Sequence, residues 1–188
     1  MRDPLLLAED LVVGYAGLVL GPLSFRLGAG EVVGLWGRNG SGKSTLLRAI
    51  AGQARVLAGR LVPATGLCLG WQLQSPTRLP QMPFTGREYL AFAGAADAAL
   101  PQRLDALLDH RVDRFSGGQF QLLAVAAVLH GPAELVMLDE PTNSLDPETE
   151  AALVDLLRAD QGDRGVLLVS HERHVLERAC SRILELGV

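Results

Sequence analysis

The sequence GRNGSGKST, residues 37–45, lies between an apolar stretch, EVVGLWG, and a helical pattern, KSTLLRAIAG. It matches G-x-x-x-x-G-K-[ST] in the context that makes this pattern specific, a strand followed by a loop and a helix. Glycines let the backbone curl so that successive N–H groups form a nest for phosphate oxygens, and the helix N-terminus adds a partial positive charge. The stretch therefore predicts a phosphate-binding loop.

The lysine of this loop is unusual in the composition of the chain. Of 17 Lys plus Arg residues, only Lys43 is a lysine, and a compact ammonium is not interchangeable with a guanidinium among phosphates. We expect Lys43 to neutralise the β- and γ-phosphates and the Ser44 hydroxyl to bind Mg²⁺. The expected nucleotide-binding residues of the loop are Gly37, Arg38, Asn39, Gly40, Ser41, Gly42, Lys43, Ser44 and Thr45.

A second apolar stretch, LVMLDEP, ends in two carboxylates. It predicts a buried strand with Asp139 and Glu140 at its carboxyl end, where ligands bind in open α/β sheets. We expect Asp139 to hold Mg²⁺ through water, and Glu140 to orient and polarise an attacking water. The alternative for Glu140 is a solvated carboxylate before Pro141. The two stretches together predict a Mg²⁺-dependent nucleoside triphosphatase.

Composition bounds the other possibilities. The chain has 188 residues, is 48% hydrophobic and carries a net charge of −4, which indicates one globular domain without a general basic surface for nucleic acid. No apolar run approaches the roughly 18 residues that cross a bilayer, and we expect neither a signal sequence nor a covalent membrane anchor. The mean hydropathy of +0.23 is explained either by a large core or by an apolar docking face.

The two cysteines, Cys68 and Cys180, show no metal-ligand or redox spacing. Both lie in apolar segments, so we expect small core residues in a reducing compartment.

The order of the predicted elements indicates an α/β fold. Two N-terminal stretches predict antiparallel strands, and later buried strands alternate with helical patterns, which predicts a mostly parallel sheet covered by helices. Helical spacing runs from Thr85 to about Leu108, a Ser-Gly-Gly turn starts another helix, and Asp146 caps a helix that has Pro147 at its first position. The predicted strands cover residues 5–15, 19–30, 31–37, 66–71, 134–141 and 165–171.

The sequence FSGGQ, residues 115–119, narrows the class of nucleoside triphosphatase. Six features follow one another along the chain: Lys43, Gln74, this turn, Asp-Glu-Pro, SLD (residues 144–146) and His171. The set resembles the ATP-binding-cassette (ABC) ATPases over essentially all 188 residues. The resemblance implies a P-loop NTPase fold with an N-terminal antiparallel β subdomain. It also implies an inserted helical subdomain, residues 75–131, within a core formed by residues 1–74 and 132–188.

Three further residues take roles from this resemblance. Tyr15 corresponds to the aromatic residue that stacks on adenine, Gln74 to a glutamine that binds Mg²⁺ and senses the γ-phosphate, and His171 to the histidine that contacts the γ-phosphate. The residues alone indicate other roles as well: packing for Tyr15, an ordinary loop position for Gln74, and a capping or core position for His171. Gln72 is a weaker candidate for the role of Gln74, and His174 is expected on the surface.

In this family the nucleotide lies between two subunits packed head to tail. The resemblance therefore implies that the second glycine turn caps a γ-phosphate held by the other subunit, so that a monomer holds two half-sites. The residues expected to act across the interface are Ser116, Gly117, Gly118, Gln119 and Asp146. The implied cofactors are ATP and Mg²⁺, with Ser44, Gln74 and Asp139 as Mg²⁺ ligands.

Two positions depart from the family pattern. Leu122 and Ala127 stand where relatives usually carry arginines after the signature turn, while Phe115 replaces a common leucine. Either apolar packing has replaced salt bridges, or the helix docks differently. A cassette that binds ATP but hardly hydrolyses it is a further alternative.

Three sequence features indicate a branch of the family: the short segment between Lys43 and Gln74, and the stretches LPQMPFTGREYL and PTNSLDPE. These stretches are most similar to the ATPase subunits of zinc/manganese-type importers. Two alternatives are the subunit of a haem-type exporter, which shares the abrupt C-terminus without a regulatory domain, and a soluble cassette outside transport. We expect a homodimer or paired cassette, peripheral on the cytoplasmic face of the membrane, that drives transmembrane permease subunits through a groove formed by residues 75–114.

Overall fold

The computed structural model describes residues 3–74, 83–143, 145–159 and 161–186. The strands are β1 (Leu6–Tyr15), β2 (Leu18–Leu27), β3 (Val32–Trp36), β4 (Arg55–Pro63), β5 (Leu69–Gln72), β6 (Leu135–Asp139), β7 (Gly165–Ser170) and β8 (Arg182–Glu185). The helices are α1 (Lys43–Ile50), α2 (Gly86–Phe92), α3 (Gln102–Asp105), α4 (Gly117–His130), α5 (Pro147–Arg158) and α6 (Arg173–Ala179), with a 3-10 turn at Val112–Arg114.

The central layer is the predicted parallel sheet. Its five strands lie in the order β5-β6-β7-β3-β8, and each neighbouring pair is parallel. Every residue of β6 and β7 is buried, as expected for continuous Leu/Val strands that are covered on both faces. The register pairs Trp36 with Ser170 and Asp139 with Val169. The carboxyl ends of β3, β6 and β7 therefore lie side by side.

Alternate side chains of this sheet enter two different cores. Val136 and Leu138 pack into a cluster with side chains of α4, α5 and α6. Leu135 and Met137 face the other way, into a cluster with α1 and the N-terminal strands. One face of the sheet is thus covered by helices, and the opposite face by α1 together with a second sheet.

The second sheet is antiparallel and has the order β2-β1-β4. The β1–β2 hairpin was predicted from the sequence, but β4 was not. Eight of the nine β4 residues are exposed, so the segment lacks the alternation of a half-buried strand. Only its pairing with β1 makes it a strand.

Helix α4 lies in the larger core. Ser116 is its N-cap, and the Ser116 and Gln119 side chains form a capping box. Apolar residues surround the helix axis, as expected for a buried helix, and α4 contacts α2, α5 and β5. Leu122 and Ala127, the positions that lack the family's arginines, are 3% and 4% exposed in this core. Apolar packing therefore accounts for the replacement.

The predicted helical run from Thr85 to Leu108 is interrupted. Helix α2 ends before Gly94, whose φ of +75° is in the left-handed region and terminates the helix. Pro101 is the N-cap of the short α3, so the chain between them is not helical. The α2 cap is a Thr85–Glu88 capping box. The division at residues 75–131 remains a prediction, and residues 75–82 lie outside the described ones.

The expectation for the cysteines was wrong for Cys68, which is exposed. It precedes β5, at the edge of the parallel sheet, where the apolar neighbours in the sequence do not bury it. Cys180 is partly buried, and this burial raises the pKa of its thiol to about 12.

The high mean hydropathy is consistent with these two large cores. Some large apolar side chains are nevertheless exposed, and Phe92 on α2 is the most exposed at 76%. Its ring lies 5.1 Å from that of Phe84 in an edge-to-face pair. No helix in the described part of the chain has both the length and the apolar character to span a lipid bilayer.

Leu123→Ala should lower the free energy of unfolding by about 2–5 kcal/mol, because this α4 side chain is fully buried and its loss leaves a cavity. Leu57→Ala on β4 is the matched control, since that leucine is 54% exposed and its loss should change stability by no more than about 0.5 kcal/mol. Urea unfolding of both variants provides the measurement. Equal losses would contradict the assignment of α4 to the core.

Candidate functional site

The phosphate loop connects β3 to α1 and needs glycine at several positions. Gly40 and Gly42 have φ values of +84° and +97°, a region that other residues rarely adopt. A Cβ on Gly37 would lie 2.4 Å from the Ser41 Oγ, and the Ser41 N–H donates to the Arg38 carbonyl at 3.0 Å. The loop therefore curls tightly into the N-terminus of α1, the backbone form of a phosphate cradle.

Lys43, the first residue of α1, lies beside this cradle. Its ammonium donates to the carbonyls of Gly37 at 2.7 Å and Arg38 at 3.3 Å. The side chain is buried, and its Nζ lies 3.6 Å from Glu140 Oε1. The positive charge is thus held at the place where a bound phosphate would need it.

Glu140 is the most constrained residue of the site. It follows β6 with a φ of +49°, unusual for a non-glycine residue, and its N–H donates to the Val169 carbonyl at 2.9 Å. His171 Nδ1 lies 2.7 Å from Glu140 Oε2, and the His171 backbone N–H donates to the same oxygen at 3.1 Å. Glu140 is 6% exposed, so the alternative of a solvated carboxylate was wrong.

Asp139 ends β6 next to the same cleft. Burial raises the pKa of its carboxyl above the usual range, the negative charge of Glu140 raises it further, and Lys43 and Arg48 oppose the shift. A buried carboxylate with a raised pKa favours a compensating cation. Ser44 and Gln74 line the cleft with it, and hydroxyl, amide and carboxylate oxygens are the ligands that Mg²⁺ prefers. The residues present therefore fit a Mg²⁺ site.

The cleft has a volume of about 400 Å³. It brings together residues that are far apart in the sequence, from the loop, β6 and the chain after β5. Its lining is Leu18, Asn39, Gly40, Gly42, Lys43, Ser44, Thr45, Gln74, Asp139 and Glu140. A neighbouring cavity is lined by Trp36, Gly37, Arg38, Asn39 and His171. The sequence did not indicate Leu18 or Trp36, because apolar side chains carry no motif.

The structure distinguishes Gln72 from Gln74 as candidates for the Mg²⁺-binding glutamine. Gln74 lines the cleft, whereas Gln72 is 4% exposed and its Nε2 donates to the Leu73 carbonyl at 2.8 Å. His174 is exposed, as expected, and lies 3.3 Å from Glu150. Gln74, rather than Gln72, is thus placed to contact a bound metal or phosphate.

Tyr15 ends β1 on the surface, 40% exposed. The Arg48 guanidinium lies over its ring, 4.4 Å from the centroid, and Nη1 donates to the Tyr15 hydroxyl at 2.8 Å. The alternative of an ordinary packing residue does not describe this exposed ring. Stacking on adenine remains a prediction for Tyr15.

The signature turn does not belong to this cleft. Ser116 and Gly117 are exposed, and a Cβ on Gly117 would have open space around it. No residue of the turn is among the described residues that line the cleft. The Ser116 Oγ accepts the N–H of Gln119 at 3.2 Å, and the first turn of a helix has further N–H groups without partners inside the helix, which can bind an anion.

Asp146 caps α5. Its Oδ1 accepts from the Glu148 and Thr149 N–H groups at 3.1 and 2.9 Å, and its Oδ2 accepts from the Thr149 hydroxyl at 2.7 Å. These hydrogen bonds from Thr149 lower the pKa of the carboxyl. The predicted N-cap is confirmed, and the role of Asp146 across an interface remains a prediction. Ser144, of the SLD stretch, lies outside the described residues.

Asp139 and Asp146 should change the stability of the metal-free protein with pH in opposite directions. Because the pKa of Asp139 is raised, the folded state keeps this proton to higher pH than the unfolded chain, and stability falls as pH rises through that window. Asp139→Asn removes this penalty and should stabilise the protein at pH 7, with an advantage that disappears below the ordinary aspartate pKa.

Asp146→Asn is the contrasting variant. The lowered pKa of Asp146 stabilises the fold above the ordinary aspartate pKa, and this contribution is lost as pH falls through the folded-state value. The substitution should therefore destabilise the protein most at pH 7. Urea unfolding from pH 4 to pH 8 with a chelator measures both variants, and effects of equal sign would contradict the assignment.

Comparison with known proteins supports a nucleotide-binding cassette. Residues 20–143 match the protein family described as ABC transporter. The zinc import ATP-binding protein ZnuC of Paracoccus denitrificans is 36% identical over 191 residues, covering 96% of this chain and 75% of that protein. ZnuC of Marinobacter nauticus is 32% identical over 192 residues, covering 98% of this chain and 75% of that protein.

A solved structure shows the same architecture. The protein cbiO1 from Clostridium perfringens, part of the ABC transporter complex cbiONQ, has a TM-score of 0.80 to this chain at 25% identity, covering 99% of this chain and 86% of that one. The matched family region contains the phosphate loop, Gln74, the signature turn, and the carboxylates Asp139 and Glu140 at the end of β6. The chain belongs to the ABC transporter family and is one of its ATPases.

Proposed function

We propose that this ATPase dimerises head to tail around two MgATP molecules and drives transmembrane permease subunits. The observation that carries the proposal is the distribution of the site. In the cleft, Glu140 lies 3.6 Å from Lys43, and it also lies 2.7 Å from His171 of the neighbouring cavity. Ser116 and Gly117 of the signature turn are exposed outside the cleft. Each of these two separate phosphate-binding features would be completed by a second copy of the chain or by a paired cassette.

In the proposed reaction, Glu140 acts on the attacking water. Its carboxylate can accept a hydrogen bond from a water aimed at the γ-phosphorus, and it orients and polarises that water. His171 fixes the carboxylate through Oε2, so that Oε1 is left for Lys43 or for the water. When ATP enters the cradle, the Lys43 ammonium exchanges the carbonyls of Gly37 and Arg38 for phosphate oxygens.

The metal site would be formed by Ser44, Gln74 and Asp139. A Mg²⁺ ion held by these residues would supply positive charge beside the β- and γ-phosphates of a bound nucleotide. Gln74 is exposed at the start of the segment expected to form the helical subdomain. Its contact with the bound metal would therefore link the nucleotide state to the orientation of that segment.

The second half-site would come from the other subunit. Ser116, with the N–H groups of Gly117 and Gly118, would cap the γ-phosphate, since a helix N-terminus attracts anions. Gln119 holds Ser116 in place, because its Oε1 accepts from the Ser116 N–H at 2.8 Å. Closure of the dimer would exclude water, which strengthens each contact to the transferred phosphoryl group.

The permease would dock on the helical subdomain, from the cytoplasmic side of the membrane. Phe92, exposed at the end of α2, packs edge-to-face on the half-buried Phe84 that precedes the helix, and this pair is an apolar surface suited to a helix of such a partner. The names of the ZnuC relatives support zinc as the cargo of that permease. Recovery of a zinc permease with this chain from detergent-solubilised membranes tests this step, and recovery from the soluble fraction alone would contradict it.

Glu140→Gln should keep ATP binding and lower the rate of hydrolysis by about 10²–10⁴-fold, because the amide cannot accept the proton of the attacking water. ATP should then hold the variant as a dimer, detected by size-exclusion chromatography with MgATP. Glu177→Gln, on the exposed surface of α6, is the control and should hydrolyse ATP normally. A normal rate in Glu140→Gln would exclude this role.

Ser116→Arg should abolish the ATP-dependent dimer and reduce hydrolysis to background, because the bulky cation occupies the surface that must meet the other nucleotide. Thr85→Arg is the matched control, since Thr85 is also an N-cap with a capping box. Each variant loses about 0.5–2 kcal/mol of stability with its cap, but only Ser116→Arg should lose activity. Equal activity of the two variants would contradict the shared site.

A further inference from the structure

The hairpin between β1 and β2 fixes the backbone of Tyr15 but leaves its ring free of the core. Tyr15 pairs with Leu18 across a two-residue turn, and Ala16 and Gly17 both have positive φ, +49° and +85°. Such a turn matches the twist of the strands and sets their register firmly. The ring, however, is one of the exposed large side chains. Something other than core packing must fix its orientation.

Arg48 contacts this ring in two ways. Its guanidinium carbon lies 4.4 Å from the ring centroid, within the range of a cation–π interaction. Its Nη1 also donates to the Tyr15 hydroxyl at 2.8 Å. A contact on the ring face and a second at the hydroxyl together restrict both χ1 and the rotation about χ2.

Arg48 belongs to the same helix as the phosphate-binding residues. It lies four residues after Ser44, so the two side chains share one face of α1. Both line a cavity of about 620 Å³, together with Gln74 and Asp139. One short helix thus carries the expected phosphate and metal ligands at its start and the contact to Tyr15 one turn later.

We propose that Arg48 is a positioning residue for the nucleotide base. It holds the Tyr15 ring at a fixed distance and angle from the phosphate cradle, so that the adenine of a nucleotide bound by Lys43 meets an ordered stacking surface. The inference rests on the proposed role of Tyr15 in stacking. It assigns to Arg48 the ordering of that ring, which lowers the entropy lost when the base binds.

The test compares MgATP with Mg²⁺-tripolyphosphate, which has the phosphates but no base. Arg48→Met removes the charge and the donor but keeps the length of the side chain. It should weaken ATP binding roughly threefold to tenfold, the effect of losing a partly exposed cation–π contact and its hydrogen bond. Tripolyphosphate binding should stay within about twofold, because the cradle itself is unchanged. Isothermal titration calorimetry measures both ligands.

A double-mutant cycle identifies the residue through which Arg48 acts. In the Tyr15→Ala background, Arg48→Met should have no further effect on ATP affinity, because the ring that it orders is gone. Arg48→Lys should restore part of the affinity, since the cation remains. Arg60→Met, in the exposed strand β4, is the control for loss of a positive charge and should bind both ligands normally.

Four outcomes would overturn the proposal. Equal weakening of ATP and tripolyphosphate would assign Arg48 to the phosphate or metal site, and an undiminished effect in Tyr15→Ala would show that the ring is not its target. Unchanged ATP affinity in Arg48→Met would exclude any role in binding. If wild-type protein binds tripolyphosphate but Tyr15→Ala leaves ATP affinity unchanged, stacking on Tyr15 fails while the phosphate site stands.

Discussion

A buried ammonium and a buried carboxylate face each other where three parallel strands end. Lys43 and Glu140 are 7% and 6% exposed and 3.6 Å apart. Charges removed from water cost several kcal/mol each unless partners replace their hydration. Carbonyls of the phosphate loop and the His171 groups supply those partners. The arrangement is possible only because the register of β3, β6 and β7 ends all three strands at one edge.

The need to hold these strand ends in place also explains where the apolar residues lie. Strands β6 and β7 are fully buried, and a packed core lies on each face of the sheet. Because packed cores deform little, they hold the strand ends at fixed separations. Helix α4 adds to this rigidity while its exposed N-terminus projects the signature turn outward. Leu122 and Ala127 in that core show that arginines at these positions are not needed to hold the helix. Packing, rather than ion pairs, orients the turn.

Helix α1 connects the parts of the nucleotide site. Lys43 faces the carboxylate after β6, Ser44 lines the cleft, and Arg48 reaches the ring of Tyr15 on the antiparallel sheet. All three residues lie on one helix of eight residues, which fixes the spacing of their backbones. The second sheet is thus tied to the phosphate cradle through side chains as well as through the core.

The sequence by itself determined the features that local chemistry dictates. Residues 37–45 predict a phosphate loop that runs into a helix. The apolar run before Asp139 predicts a buried strand, and Asp146 followed by Pro147 predicts the start of a helix. The Ser-Gly-Gly turn likewise predicted the start of a helix, which the structure shows with Ser116 as its N-cap.

Only the tertiary structure decided what depends on distant partners. Strand β4 forms because β1 pairs with it, Cys68 is exposed because it lies at a sheet edge, and the contact between Arg48 and Tyr15 joins two elements that the sequence separates. The burial of Glu140 between Lys43 and His171 also arises from strand register. Pairing, edges and burial are properties of the folded chain, and no local pattern of residues contains them.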